Sequence, residues 1–293
     1  MEINQVKNNI ITTTTGKKYE KPNALQNVVG IFVANTASRI VASSVSKIPS
    51  KHLLQITDSI TQQEKEYFAS ITDKLFEKSG LAEKGVKIIN AIEQNRKEIN
   101  DIWKQTFKID ITKFQQLNKF FEQIFAGRNA VFNKHTKTIL INKEKLGIAL
   151  LHEIGHALNS TGKGIGKILS TTRSVTAILS LLITTIVLCK RKKVEGEEPN
   201  GSFDKITTFI KNHCGKLAVF CAVPHVTEEA LASKKGVDLI KTLNIPESHL
   251  HKLKTLNKVA LTTHIATAVA GVLGIVTLSK VKDFITKPKE ILQ

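Results

Sequence analysis

Apolar residues change their spacing along this chain, and each change predicts a different kind of element. Between residues 50 and 126 they recur at helical intervals: Phe68, Ile71 and Leu75, then Leu117, Phe120, Phe121, Ile124 and Phe125, with Trp103 and Phe107 one turn apart. Stripes of this period put one face of each helix into a core. Gly127 and Asn129 break the pattern. Residues 137–142 (Lys-Thr-Ile-Leu-Ile-Asn) then run β-branched and aliphatic between polar breaks, which predicts a strand with an edge that a peptide could pair along. A helix is predicted from 143 to 160, closed by Thr161-Gly162-Lys163-Gly164.

Beyond this point the apolar positions stop alternating and merge into runs. Residues 174–189 carry no charge and lie between Arg173 and the basic block Lys190-Arg191-Lys192-Lys193. Residues 206–226 are apolar apart from Lys211 and Lys216, and 259–279 carry no formal charge between Lys258 and Lys280. The last run reaches the roughly 20 residues that a bilayer requires. The first is shorter and makes sense as one arm of an apolar hairpin with 206–226. Residues 24–46 predict another helix, interrupted by Arg39, suited to a membrane surface, a crossing or packing on the domain. Basic residues bracket these runs as they do at membrane interfaces.

The pattern divides the chain into four parts. An arm and possible membrane-associated helix occupy 1–49, and a helical soluble region 50–126. A core containing the apolar hairpin at 174–226 occupies 127–257, and a C-terminal transmembrane helix with a basic tail 258–293. The Thr-rich stretch 1–23 is expected to be a loose arm. Its first residues lack a basic segment followed by an apolar one, so no cleaved signal peptide is expected.

Charge refines this picture. Lys plus Arg total 43 against 25 Asp plus Glu, a formal charge of +18, which suits an anionic partner. The lysines are dispersed, with 190–193 the one tight block, so a lipid bilayer is expected and no specific nucleic acid. Cys189, Cys214 and Cys221 have neither CxxC spacing nor a disulfide framework, and are expected to be buried free thiols.

Candidate chemistry centres on His152-Glu153-Ile154-Gly155-His156. On a helix the two histidines fall at i and i+4, on one face, close enough to share a metal ion. Glu153 lies near the same side and can take a proton from metal-bound water. Apolar neighbours Leu150, Leu151, Ala157 and Leu158 would bury the helix, and Gly155 permits close approach of another backbone. A catalytic zinc takes three protein ligands and keeps one position open. Glu229, Glu228 and His225 are the candidates for the third, since neighbouring positions at a helix start are not ranked by spacing.

His-Glu-Ile-Gly-His-Ala, an apolar hairpin, and then Pro224-x-x-x-x-Glu229-x-x-Ala232-Ser233 resemble the membrane-embedded gluzincins. The chain is similar to HtpX and CAAX-prenyl-protease-like peptidases, and in layout to YugP-like neutral zinc metallopeptidases. The resemblance covers about residues 137–279. It departs from the HtpX group at Ser233, where that group has Asp. It implies a mainly α fold with a zincin-like core, a short edge sheet and two to three transmembrane or membrane-embedded helices. It further implies one zinc ion held by His152, His156 and Glu229, with Glu153 as general base in peptide-bond hydrolysis. Competing readings are a soluble, basic, DNA-associated metalloprotease and a non-catalytic membrane protein with a chance motif.

A transition state would need a second polar group besides the ion. His225 and His264 are the candidates, with His249 and His251 behind them. His52, His135 and His213 sit in surface or loop contexts. An even number of crossings between 174 and 226 would return Glu229 to the side on which His152 lies. Lys190 to Lys193 on the cytoplasmic side would put the site opposite. The many lysines of 47–173 favour a site facing the cytoplasm, and a multi-pass protein of that orientation is the expectation.

Overall fold

The run Thr-Ile-Leu-Ile forms strand β5 (Thr138–Ile141), buried along its whole length. In the computed structural model, which describes residues 9–292, it is the central strand of a three-stranded sheet. Its parallel neighbour is β3 (Lys87–Asn90) and its antiparallel neighbour is β4 (Ala130–Asn133). Alternate residues serve two cores. Ile139 and Ile141 pack with Phe68, Ile71, Leu75, Leu150, Leu151 and Ile154, while Leu140 packs with Ile99, Ile111, Phe121 and Ile124. A strand buried on both faces reads as a continuous apolar run. With both of its edges paired, β5 is not the edge expected from the sequence. The outer strands are β3 and β4, and β4 packs against the helix bearing the HExxH motif.

The structure is mainly helical, with this sheet and a second small one, and the chain divides into two compact units. One comprises 49–173 and 224–265. The other comprises 1–48, 174–223 and 266–293, within the described residues. Four helices contribute to both: α1 (Ala24–Asp58), α7 (Ile165–Cys189), α9 (Cys214–Lys241) and α10 (Glu247–Ile285).

The 49–173/224–265 unit contains α2 (Gln62–Lys78), α3 (Arg96–Phe107) and α4 (Gln115–Phe125), in agreement with the apolar stripes. The strand β3 lies inside a region expected to be wholly helical. The helix expected over 143–160 is interrupted: α5 (Lys143–Leu146), a single 3-10 turn, and α6 (Leu150–Thr161). Gly147 marks the break, where a Cβ would sit 3.1 Å from the backbone nitrogen of Ala69 in α2.

In the other unit the Thr-rich segment is not a loose arm. It forms β1 (Ile10–Thr12) and β2 (Lys18–Glu20), turned at Gly16 with φ +79, and β2 pairs with β6 (Lys289–Glu290). Ile and Thr favour extended backbone, and Thr13 Oγ1 accepts from the Lys17 amide across the turn. The signal-peptide expectation falls largely on residues 1–8, outside the described residues.

The apolar segment 206–226 is not one arm. Helix α8 (Gly201–Asn212) ends there, and α9 restarts at Cys214 after His213. Cys214 and Cys221 are buried as expected, whereas Cys189 is exposed.

Three helices, α1, α7 and α10, are long and apolar enough to cross a membrane. Their apolar side chains point outward within this unit, with Phe32 71% and Leu181 67% exposed. A surface of that kind suits lipid rather than water. Within the unit, Gly30 meets Thr286 and Gly274 meets Ser38, so α1 and α10 pack on small residues in the manner of membrane helices.

Candidate metal centre

The centre forms within the 49–173/224–265 unit, where α6 and α9 pack at backbone contact. A Cβ on Gly155 would overlap the carbonyl of Ala232, and one on Gly236 would overlap the carbonyl of Leu151. Glu229, Ala232, Ser233 and Gly236 share one face of α9 at helical spacing. Two glycines and an alanine let that face lie directly on α6. Leu150, Leu151, Ile154 and Ala157 fix α6 in the core. The motif histidines therefore face the α9 carboxylates across a very short gap.

Three donor atoms converge in that gap. His152 Nε2 and His156 Nε2 are 2.9 Å apart, and Glu229 Oε2 lies 3.0 Å from the first and 3.3 Å from the second. A tetrahedral zinc with bonds of about 2.0–2.1 Å sets its donors about 3.3 Å apart. The triangle is slightly tighter than this and of the right size and chemistry, so the residues present fit such an ion. Two groups of side chains here can hold a metal: His152, Glu229 and His264, and His156, Glu228 and Glu229.

The outer atoms of each donor are also tied. His152 Nδ1 lies 3.2 Å from Ser233 Oγ, and His156 Nδ1 lies 2.9 Å from Glu228 Oε1. Outer partners of this kind fix the ring orientation and direct Nε2 inward. Asn159 Nδ2 donates to Glu228 Oε1 at 3.0 Å. One nitrogen of Arg173, Nη1, lies 2.7 Å from both Glu228 Oε2 and Glu229 Oε1. The adjacent glutamates therefore differ: Glu229 turns an oxygen into the triangle, and Glu228 backs His156.

Both carboxylates are buried, Glu229 fully, and burial alone would favour their neutral forms. Burial works against the charge of Glu228, but hydrogen bonds from His156 and Asn159 and the nearby Arg173 outweigh it and hold the pKa at about 2. Glu229 is likewise kept well below the carboxylate range, by His152 and His156 acting against burial. Burial also opposes charge on His156, yet its bonds to Glu228 and Glu229 raise its pKa to about 10. The centre thus attracts positive charge strongly.

Glu153 is buried beside the triangle, and its Oε2 accepts the backbone N–H of Phe132 in β4 at 2.6 Å. His225 Nδ1 stands 3.7 Å from Glu229 Oε1, and His264 Nε2 3.3 Å from Glu229 Oε2. His249 is elsewhere, its ring 4.3 Å from Tyr67, and His251 is exposed. Sequence reasoning missed Asn159 and the Phe132 amide and used Arg173 only as a flank. Asn159 lies at i+3 from His156, a spacing that could have flagged it.

Comparison with protein-family models, with curated proteins and with solved structures found no match.

Proposed function

We propose that this chain is a membrane-embedded zinc endopeptidase of the gluzincin type. One observation carries the reading: two imidazole Nε2 atoms and a carboxylate oxygen meet within 3.3 Å, with a buried glutamate beside them. His152, His156 and Glu229 would hold one zinc ion, and Glu228 would act from behind His156. The ion, when bound, would supply Lewis acidity, polarising the scissile carbonyl and acidifying a water.

The remaining work falls to the chain's own side chains. Glu153 accepts a proton from the attacking water and delivers it to the leaving amine. The Phe132 amide holds Glu153 Oε2, so the other oxygen carries the proton. An extended peptide substrate pairs along β4, the outer strand beside α6. His225 is placed to donate to the developing oxyanion. Arg173 binds both buried glutamates through one nitrogen.

Helices α1, α7 and α10 anchor the chain in a bilayer, a reading that the outward apolar side chains favour over a soluble DNA-associated protease. A shared centre needs an even number of crossings between His156 and Glu229. Helix α7 would make one, and the return would fall to α8 and the start of α9 together, since α9 is not one of the three helices long and apolar enough to cross alone. The lysine-rich 47–173 region favours a site facing the cytoplasm.

The test is a cleavage assay on detergent-purified protein and its Glu153→Gln variant, with zinc content measured in both. Loss of about 100- to 10,000-fold in rate at unchanged zinc content is expected. Equal cleavage by both proteins sinks the peptidase reading, and release from membranes by salt alone sinks the membrane reading.

A further inference from the structure

The three-donor triangle has a fourth neighbour that a catalytic zinc site does not require. We infer that His264 is a fourth protein ligand of the centre, so that the site rests closed and opens when this side chain withdraws. The inference deepens the proposed function and rests on the centre being a zinc site.

Glu229 Oε2 is the common corner of the cluster. It lies 3.0 Å from His152 Nε2, 3.3 Å from His156 Nε2 and 3.3 Å from His264 Nε2. All three separations sit close to the edge of about 3.3 Å expected between the donors of a tetrahedral zinc. Donor atoms of His152, Glu229 and His264 all lie within 4.8 Å of one another, so His264 can share an ion with two members of the triangle. The His264 ring is also nearly parallel to that of His152, with centroids 5.7 Å apart and planes 17° apart, and His225 supports it edge-on from another direction.

Position on the chain argues the same way. His264 interrupts the charge-free run 259–279 of α10, where an imidazole needs a strong partner to offset its desolvation. Its side chain is 35% exposed, against 1% for Glu229, so it is the member of the set with room to leave. Sites with four protein ligands are structural and closed, whereas catalytic sites keep one position for water. Opening is a ligand exchange: one metal–nitrogen bond breaks and one metal–oxygen bond to water forms. The imidazole leaves with its lone pair, and no electron is transferred.

X-ray absorption on the full-length protein in detergent, loaded with one equivalent of zinc, decides the point. Three imidazoles and one carboxylate oxygen are expected for the unaltered chain, and two imidazoles with an added oxygen for His264→Ala and for His264→Gln. Cobalt substitution should give visible bands that shift between the unaltered chain and the variants, because one nitrogen donor is replaced by oxygen at constant coordination number. Zinc affinity in the variants should fall by more than about tenfold, beyond the lower end of what an outer-shell loss costs. Two imidazoles in the unaltered chain overturn the proposal while leaving the zinc reading intact, and because that count needs no variant, a misfolded one does not blunt the test. A chain that retains no zinc takes down the zinc reading and this proposal with it.

Discussion

Each unit buries charged side chains, but the partners are arranged differently. In the 1–48/174–223/266–293 unit, Lys211 and Lys282 are 3% and 1% exposed. Lys211 donates to the Val187 carbonyl and pairs with Asp283 at 3.0 Å, and Lys282 donates to the carbonyls of Leu188 and Lys190. The Val187 and Leu188 carbonyls end α7 and that of Lys190 follows it, so the two lysines cap the helix and complement its dipole. Donors and acceptors alternate there, and the cluster is complete. In the other unit, two imidazole nitrogens and a carboxylate oxygen turn toward a single point, a cluster that could hold a cation. Buried charge alone therefore says little about function; the arrangement of the partners separates a helix cap from a cluster that could hold an ion.

The largest expected effect comes from forcing α6 and α9 apart. Gly155→Ala and Gly236→Ala should each cost at or above the upper end of the ~1–3 kcal/mol typical of overpacking. Thermal melting and zinc content should fall together, while Gly271→Ala, which meets nothing within 4 Å, should change neither. A Gly155→Ala protein that binds zinc normally would show that the centre does not depend on this contact between helices.

Lys211→Met tests the complete cluster. It removes the ion-pair partner of Asp283 and leaves it only the Lys192 amide and the Ser279 hydroxyl. Removal of one partner of a buried pair costs about 3–5 kcal/mol. The lower end is expected, because Asp283 keeps those two donors and is 19% exposed. Stability should drop with zinc stoichiometry unchanged, and loss of zinc at full stability would erase the distinction between the clusters.

Within the centre, Glu228→Gln should weaken zinc binding by about 10- to 100-fold, and Ser233→Ala by less, as measured by chelator competition. A Glu229→Gln protein that binds more tightly than Glu228→Gln would reverse their roles.

The smallest effect is expected at Glu64 in the first turn of α2. Its hydrogen bond from Lys252 and those from the Thr61 cap hold its pKa at about 2. A depressed carboxylate stabilises the fold above its unfolded value near 4.3, and that contribution disappears as pH falls through about 2. Glu64→Gln should therefore lower stability by under about 1 kcal/mol at neutral pH, and the two proteins should converge in strong acid.

Much of this was legible in the sequence where a period or a spacing carried it. The stripes of α2, α3 and α4 follow from helical periodicity, and His152, Glu153 and His156 from their places on one turn. Glu228 and Glu229 were not separable, because their roles depend on which oxygen meets Nδ1 of His156 and which meets Nε2, a matter of contacts across helices. Strand β3 was hidden in a helical context, although Val86, Ile88 and Ile89 after Gly85 carry a β signature. The break at Gly147 was invisible because its cause is the backbone of α2. The 206–226 arm looked continuous because hydropathy does not register His213 as a helix end.

The bond between Phe132 and Glu153 has a use beyond positioning. An amide at the outer edge of a small sheet ordinarily trades its hydrogen for deuterium quickly, yet this one is held by a carboxylate that the proposed chemistry protonates. Its exchange rate is thus a reporter of the charge on Glu153, readable by mass spectrometry without substrate, and in Glu153→Gln it should quicken while neighbouring Val131 keeps its pace.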